Sequence, residues 1–535
     1  MTEKQPIYVM PDNVSRTLGR DAQRNNILAA KIIADIVKTT LGPRGMDKML
    51  VDSTGDFIVT NDGVTILEEM EIDHPAAKMI VEIAKTQERE VGDGTTTVAM
   101  LTGKLLENAE KLLDKRIHPT VIVRGYRAAA EKALNSLKDI SFPVDSNDVL
   151  KKIAMTAMTG KGAEGNREKF AEIIIAAVNQ VGKGKEIDID NIKIEKLKGD
   201  SMEKSELIQG VIIDKEKANE SMPRKVNNAK IILIDFPVEL KNPEMETRVS
   251  VSTPQQLQDF ITAEEVSLKK ITNKIIGSGA NVVFCQKGID DVAQYYLAKA
   301  GVFASRRVAK SDIEKLAKAT SGKIVSNLEE ITPESFGYAD LVEEVKRGDD
   351  SRIYVKGCKN PAVVTILVRG ATDHLIDETE RAIKDGVGDV CAAIKDGRIV
   401  AGGGGVEVEL AKRLREFSRT LGGREQLAVE EFAAALESIP EALAENAGMD
   451  PINVLTELKK KHEMGAIREG LNLFQNRIED CVSAGIVEPL KVKSQAISSA
   501  TEVATMILRI DDVLISSGKN KPALGGMPSQ YTGID

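Results

Sequence analysis

The 535-residue chain has no tryptophan, and only 3% of its residues are aromatic. Nucleic-acid platforms combine stacking aromatics with a basic patch. Here the formal net charge is −9 and the basic residues are interleaved with acids, as on solvated helix faces. Nucleic acid is therefore not expected as a partner. Cysteine and histidine are scarce too, four of each. Cys285, Cys358, Cys391 and Cys481 form no CxxC pair, and His74, His118, His374 and His462 lie far apart. No zinc-site spacing exists among them, and the cysteines read as buried free thiols of a reducing compartment. No run of about 18 apolar residues is present to span a membrane. The first residues, MTEKQPIYVMPDN, hold no apolar signal core, so a cytoplasmic protein is expected. GxxxxGK[ST] is absent as well, which excludes a Walker-type nucleotide site.

What is present is a globular composition, 42% hydrophobic and 29% charged. Its length implies about two to four domains. Both ends read as helical, over 20–40, 76–90, 95–115 and 120–138, then 406–421, 424–447 and 494–507. The middle alternates strand-like runs (NAKIILID, ANVVFC, GKIVSN, AVVTILVRG) with helical ones, which indicates an α/β unit with a partly parallel sheet. Capping-box patterns at Thr262–Glu265 and Ser311–Glu314 are expected to open two of its helices. Glycine-containing joints at 208–214 and 367–372 flank this insert and read as hinges or as plain turns. Residues 236–262 carry three prolines and apolar residues such as Val249, Val251 and Leu257 among charges. This excursion is either a surface loop or an element that contacts another chain.

Several short stretches can carry phosphate chemistry. In EVGDGTTTVAM, Gly92 and Gly94 let backbone approach a ligand, and Thr95, Thr96 and Thr97 open a strong helix whose first N–H groups favour an anion. The same residues fit a threonine-capped helix after a glycine turn. Asp93 would repel phosphate unless a Mg²⁺ ion lay between, and Asp is a hard oxygen ligand suited to one. Asp62, in TNDGVTIL, sits on another turn, and GPRG at 42–45 offers more backbone N–H groups. AGGGG at 401–405 is either a close approach to a nucleoside or a flexible linker. Asp385, in ERAIKDGVGDV, is either a solvated helix residue or a carboxylate for attacking water. Gly160, Gly162 and Gly165 match GxGxxG but follow a helix rather than a strand, which argues against dinucleotide binding.

Taken in order, TLGPRGMDKML (40–50), NDGVTIL (61–67), KTQEREVGDGTTT (85–97), TGKGAE (159–164), AGGGG (401–405) and GIVEPLKVKSQAI (485–497) resemble the signatures of chaperonins over roughly residues 15–515. HPAAKMI, FCQKGIDDVAQYYLAKAG and LRIDD are similar to the group II branch, that of archaeal thermosome subunits and the related eukaryotic cytosolic TCP-1 ring complex. The resemblance implies an ATP-dependent molecular chaperone with ATP and Mg²⁺ as cofactors. It would enclose unfolded client proteins in a double ring of about eight identical or closely related subunits per ring. The implied fold is multidomain α+β. A mainly helical equatorial domain takes residues 1–146 and 403–535, and a small intermediate domain takes 147–214 and 368–402. An α/β apical domain, 215–367, carries a built-in lid protrusion around 236–262, so no separate lid protein is expected.

The same resemblance implies roles for single residues. Leu41, Gly42 and Pro43 would contact the nucleotide phosphates. Asp93 would be the Mg²⁺ ligand, with Gly94, Thr95, Thr96 and Thr97 around the β- and γ-phosphates. Asp62 and Asp385 would hold and activate the attacking water, and Lys161 would sense the γ-phosphate. Gly403 would touch the nucleoside, Asn472 and Leu473 the adenine, and Glu488 the ribose. Closure near the second joint would bring Asp385 over the γ-phosphate and couple hydrolysis to motion. The chain departs from the family pattern at Gly386, where relatives often have alanine, at Gly405, which lengthens the glycine run, and in a tail with a single GGM unit. Other readings are a eukaryotic paralogue of a mixed ring, an ATP-binding assembly scaffold without folding activity, and a small-molecule kinase, for which no acceptor pocket is legible.

Overall fold

The computed structural model describes residues 14–182, 184, 187–239, 253–347, 350–359 and 361–516. It is a helix-rich α+β fold with several separate sheets. The N-terminal stretch folds into α1 (Gly19–Lys38), α2 (Gly63–Glu69), α3 (Pro75–Val91), α4 (Thr95–Asp114) and α5 (Pro119–Ile140). Next come α6 (Asn147–Ala157) and α7 (Arg167–Val181), then α8 (Pro254–Gly277), α9 (Asp291–Lys299), α10 (Lys310–Thr320) and the long α11 (Asp373–Asp396). The C-terminal stretch adds α12 (Gly405–Ser418), α13 (Glu425–Asn446), α14 (Pro451–Glu463), the single turn α15 (Cys481–Ala484) and α16 (Leu490–Ile507).

Helix starts follow from local chemistry. Pro75 and Pro119 stand in first turns, where a missing N–H loses no bond. The imidazoles of His74 and His118 just before them accept the N–H of Ala76 and Thr120. Two of the four histidines are thus helix caps. The two capping boxes expected in the middle do not form. α8 already begins at Pro254, so Thr262 lies inside it and donates its hydroxyl to the Gln258 carbonyl. α10 starts after Ala309 with no side-chain cap, and Ser311 falls within its first turn.

Both chain ends share one core, in which Leu105 and Tyr126 pack with Phe432, Leu436 and Ile497. A second core joins Phe170 and Ile174 of α7 to Ile383 and Val387 of α11 and to Val364. The segment between builds a seven-stranded mixed sheet, ordered Phe303–Ser305, Val282–Cys285, Lys225–Ile234, Gly337–Arg347, Asp350–Lys356 and Gly210–Ile213, with Ile324–Val325 also beside Lys225–Ile234. The pairings among Phe303–Ser305, Val282–Cys285 and Lys225–Ile234 are parallel, as is that of Ile324–Val325, and the rest are antiparallel. Strand periodicity gives each face its own core: Ile231 and Leu233 point one way, Ile232 and Ile234 the other.

The chain enters this sheet at Gly210. Ile208 still pairs with Thr365 in a three-stranded sheet, whereas Gly210 pairs with Lys356 in the larger one. Gly210 has φ +149°, and a Cβ there would lie 2.0 Å from the Val355 carbonyl oxygen. The chain returns between Lys356 and Val364, before the glycine of the expected second joint, Gly370, which ends a strand of the smaller sheet. Of the excursion at 236–262, residues 240–252 lie outside the described residues, as do the GGM tail and the side chain of Leu257. All four cysteines are free and buried. No described helix is long and apolar enough to cross a membrane.

Candidate active site

One cavity of about 420 Å³ lies where the two chain ends meet α6, α7 and α11. Its floor is the start of α4. Gly92 closes α3 with φ +92°, and Gly94 precedes α4 with φ +83°, so both hold a left-handed backbone that favours glycine. Asp93 is clamped between them. The buried Gln87 amide donates to the Asp93 carbonyl at 2.9 Å and to the Val492 carbonyl at 3.3 Å. The N–H groups of the first turn of α4 are left for a ligand, and the 20-residue helix behind them favours an anion. Thr95, Thr96 and Thr97 line the cavity there.

Leu41, Gly42 and Pro43 form the adjoining wall. A Cβ on Gly160 would lie 2.5 Å from the Cα of Pro43, so the Gly160–Gly162 turn lies flat on the GPRG turn. Asn61 holds it there, donating its amide to the Gly160 carbonyl at 2.8 Å. Asp62 caps α2, accepting the Thr65 N–H at 2.9 Å and the Thr65 hydroxyl at 2.7 Å through one carboxylate oxygen. Gly63 behind it abuts Thr96.

The far end of the cavity carries Gly403, Asn472, Leu473 and Glu488. The glycine run is a packed turn and not a flexible linker. Gly403 and Gly404 have φ of +63° and +74°, and a Cβ on Gly403 would sit 2.5 Å from the Leu471 carbonyl oxygen. A Cβ on Gly405 would come closer still to the Glu469 carbonyl oxygen, so the residue that lengthens the run is required by the fold. The side chain of Asn472 is already engaged: it donates to Glu479 and accepts the N–H of Phe474 and Gln475. What Asn472 presents to the cavity is mainly backbone.

Lys161 joins the segments electrostatically. Its ammonium makes a short ion pair with Asp385 and lies 3.6 Å from an Asp93 oxygen. Burial alone would lower its pKa, but the carboxylates of Asp385 and Asp93 outweigh that and hold it charged. Asp385 is not on the cavity wall; it reaches the cavity through Lys161. Burial pushes its carboxyl up to about 8, against the pull of Lys161 and with the repulsion of Asp93 and Asp62. A carboxylate lifted this far is suited to accept a proton near neutral pH.

Three features escaped the sequence reading. Asp389, one turn beyond Asp385, lines the cavity, and burial, then Asp93 and Glu488, raise its carboxyl far above the ordinary range. Its position four residues from Asp385 on α11 was the available signal. Lys493, only 8% exposed, bridges Glu488 at 2.7 Å and Glu407 at 2.8 Å. Arg167 stacks its guanidinium 5.5 Å above the ring of Phe474, and both line the cavity. Lys493 and Arg167 had no local pattern to mark them, because their partners are remote in sequence.

The arrangement fits a nucleotide with its cation. Glycine turns and a helix start favour phosphates, and the buried Asp389 Oδ1 has no hydrogen-bond partner. Among the described residues no group of three or more His, Cys, Asp or Glu is placed to hold a metal alone. A cation here must share its coordination with phosphate, as Mg²⁺ does.

Comparison with known proteins gives a consistent result. Residues 33–517 match the TCP-1/cpn60 chaperonin family. The chain is 55% identical to thermosome subunit beta of Archaeoglobus fulgidus over 528 residues, 98% of this chain and 97% of that one. It is 55% identical to thermosome subunit beta of Methanothermobacter thermautotrophicus, covering 98% and 99% of the two chains. With thermosome subunit alpha of Archaeoglobus fulgidus it shares 53% identity over 96% of each.

Proposed function

The chain belongs to the TCP-1/cpn60 chaperonin family as a group II chaperonin of the archaeal thermosome kind, an ATP-hydrolysing chaperone, and on that premise we propose that the cavity at the start of α4 is where ATP is bound and cleaved. The observation that carries this reading is the meeting of Asp93, Lys161 and Asp385, from three distant segments, beside a glycine-flanked helix start. The backbone N–H groups of Gly42 and of Gly94–Thr97 hold the phosphates. Asp93 holds Mg²⁺, which when bound neutralises phosphate charge. Glu488, fixed by Lys493, takes the ribose, and Leu473 and the Asn472 backbone border the adenine.

Asp62 and Asp385 orient a water in line with the γ-phosphorus. Its oxygen bonds to that phosphorus as the bond to the bridging oxygen of ADP breaks, and its proton passes to Asp385. Lys161 keeps Asp385 near the γ-phosphate and contributes positive charge as the transferred group separates. Asp385 stands on α11, in the core it shares with α7, and Asp93 stands at the end of α3. Hydrolysis therefore requires α11 to be seated on the loop of Asp93, which links chemistry to the movement of that core.

The core shared by the chain ends serves as the equatorial domain (1–146 and 403–535), the α7–α11 core as the intermediate domain (147–214 and 368–402), and the seven-stranded sheet as the apical domain (215–367). Val266 and Tyr295 are 60% and 58% exposed on α8 and α9, which supports contact with unfolded clients there. The lid around 236–262 makes a separate lid protein unnecessary. Phe57, Met49 and Val51 are exposed on a hairpin and Leu514 on a terminal strand, which supports contacts between like subunits around a cytoplasmic double ring of about eight subunits each.

Asp385→Ala tests the reading. It is expected to retain ADP binding but to lose steady-state ATPase and ATP-dependent refolding of a denatured enzyme. Unchanged ATPase sinks the assignment of Asp385, and ATP-independent refolding by the wild type favours a scaffold instead.

A further inference from the structure

Of the described residues lining the cavity, only Asp389 carries a fully buried side-chain polar atom, Oδ1, without a hydrogen-bond partner. The residue is 2% exposed. An unpaired carboxylate so placed is strongly disfavoured unless something compensates its charge. Nothing on the protein does so. The groups facing it are Asp93, Glu488 and Asp385, all acidic, and Lys161. Lys161 is already paired with Asp385 and lies 3.6 Å from Asp93.

The position of Asp389 is fixed as tightly as its charge is uncompensated. A Cβ on the preceding Gly388 would lie 2.7 Å from the Val91 carbonyl oxygen and 3.0 Å from the Cα of Gly92. α11 therefore touches the loop that carries Asp93, backbone to backbone. Two carboxylates face one another beside a phosphate seat, and phosphates alone would add to the repulsion. A hard divalent cation resolves all three charges, and such ions take one or two carboxylates together with phosphate oxygens.

We propose that Asp389 is a second carboxylate, beside Asp93, of the seat for the divalent cation that accompanies the nucleotide. This rests on reading the cavity as the nucleotide site with Asp93 at the metal. It adds a ligand from α11 to one from the α3–α4 loop, so the cation ties the two segments together. Cation loading then reports, and favours, the seating of α11.

The test uses Mn²⁺ as the probe, with ADP, on assembled wild type, Asp389→Asn and Asp93→Asn, reading free Mn²⁺ by electron paramagnetic resonance. Asp389→Asn is expected to weaken Mn²⁺ binding by about tenfold or more. In EDTA this variant should bind ADP at least as tightly as the wild type, because one carboxylate that repels the phosphates is gone, and a weaker metal-free affinity would count against the proposal. If Asp93→Asn weakens binding and Asp389→Asn does not, the inference fails and the nucleotide reading stands. If neither variant weakens it, the metal reading of the cavity fails as well. Thermal melting in EDTA gives an independent readout. Removing an unpartnered buried carboxylate is expected to raise the metal-free midpoint of Asp389→Asn. A lowered midpoint, or a variant that does not fold, overturns the proposal.

Discussion

Replacing Gly388 by alanine adds one methyl group where α11 rests on the Asp93 loop. The new Cβ would meet the Val91 carbonyl oxygen at 2.7 Å and the Gly92 Cα at 3.0 Å. Both are backbone atoms of a loop held by Gln87, so neither can rotate away. Overpacking of this kind costs about 1–3 kcal/mol. Exchanging glycine for alanine inside a helix returns about 1 kcal/mol. The steric term wins, and α11 must lift by several tenths of an ångström, taking Asp385 and Asp389 with it. Misplacement by about 1 Å in a positioned reaction can lower rates on the order of 100-fold. Gly388→Ala is therefore expected to lower kcat by roughly 10- to 100-fold and to lower the thermal midpoint. Gly386→Ala is the control, since its Cβ would meet the flexible end of Ile174 at 2.8 Å. It should gain up to about 1 kcal/mol from helix propensity and keep its ATPase. If Gly388→Ala behaves like Gly386→Ala, stabler and fully active, the seating of α11 on this loop does not govern hydrolysis.

Other outcomes follow from the same contacts. Asp385→Asn should lower kcat by about 10²- to 10⁴-fold while ADP titration shows unchanged affinity. Burial raises the Asp385 carboxyl to about 8, so its basic form appears as pH rises. kcat/KM for ATP should accordingly climb through pH about 8, and a pH profile of Asp385→Asn should lack that limb. Lys493→Met leaves the buried Glu407 and the partly buried Glu488 without their cation. A loss of about 3–5 kcal/mol is expected, read as a lower melting midpoint together with a raised KM for ATP.

Much of this molecule is legible in its sequence because its signals are local. The helices at both ends show their apolar period, and glycines at 92 and 94 mark left-handed turns that few other residues adopt. The ordered motifs carried the family; the helix start at Gly94–Thr97, the GPRG turn and the glycine run were legible as open alternatives, whereas Leu41, Lys161, Asn472, Leu473 and Glu488 were named only through resemblance. What stayed hidden depends on partners distant in sequence. Lys493 and Glu407 are 86 positions apart, and nothing near either predicts a buried ion pair. Asp389 looks like any acidic residue of an exposed helix until Gly388 is seen against Gly92. The capping boxes at 262 and 311 misled for the opposite reason. Ser, Thr and Glu at that spacing also occur inside helices, where the hydroxyl bonds back to a carbonyl, as Thr262 does. The glycine run could not be told from a linker without the strand Glu469–Asn472 that packs on it.

Where the nucleotide sits is the most direct test of the proposed site. A structure with Mg²⁺, ADP and aluminium fluoride would decide it. The fluoride is predicted at the start of α4, with Asp93 directed at the cation, Asp62 and Asp385 at the in-line water, and the base beside Leu473. A nucleotide bound elsewhere, or lying with its base at Thr95–Thr97, would contradict the account.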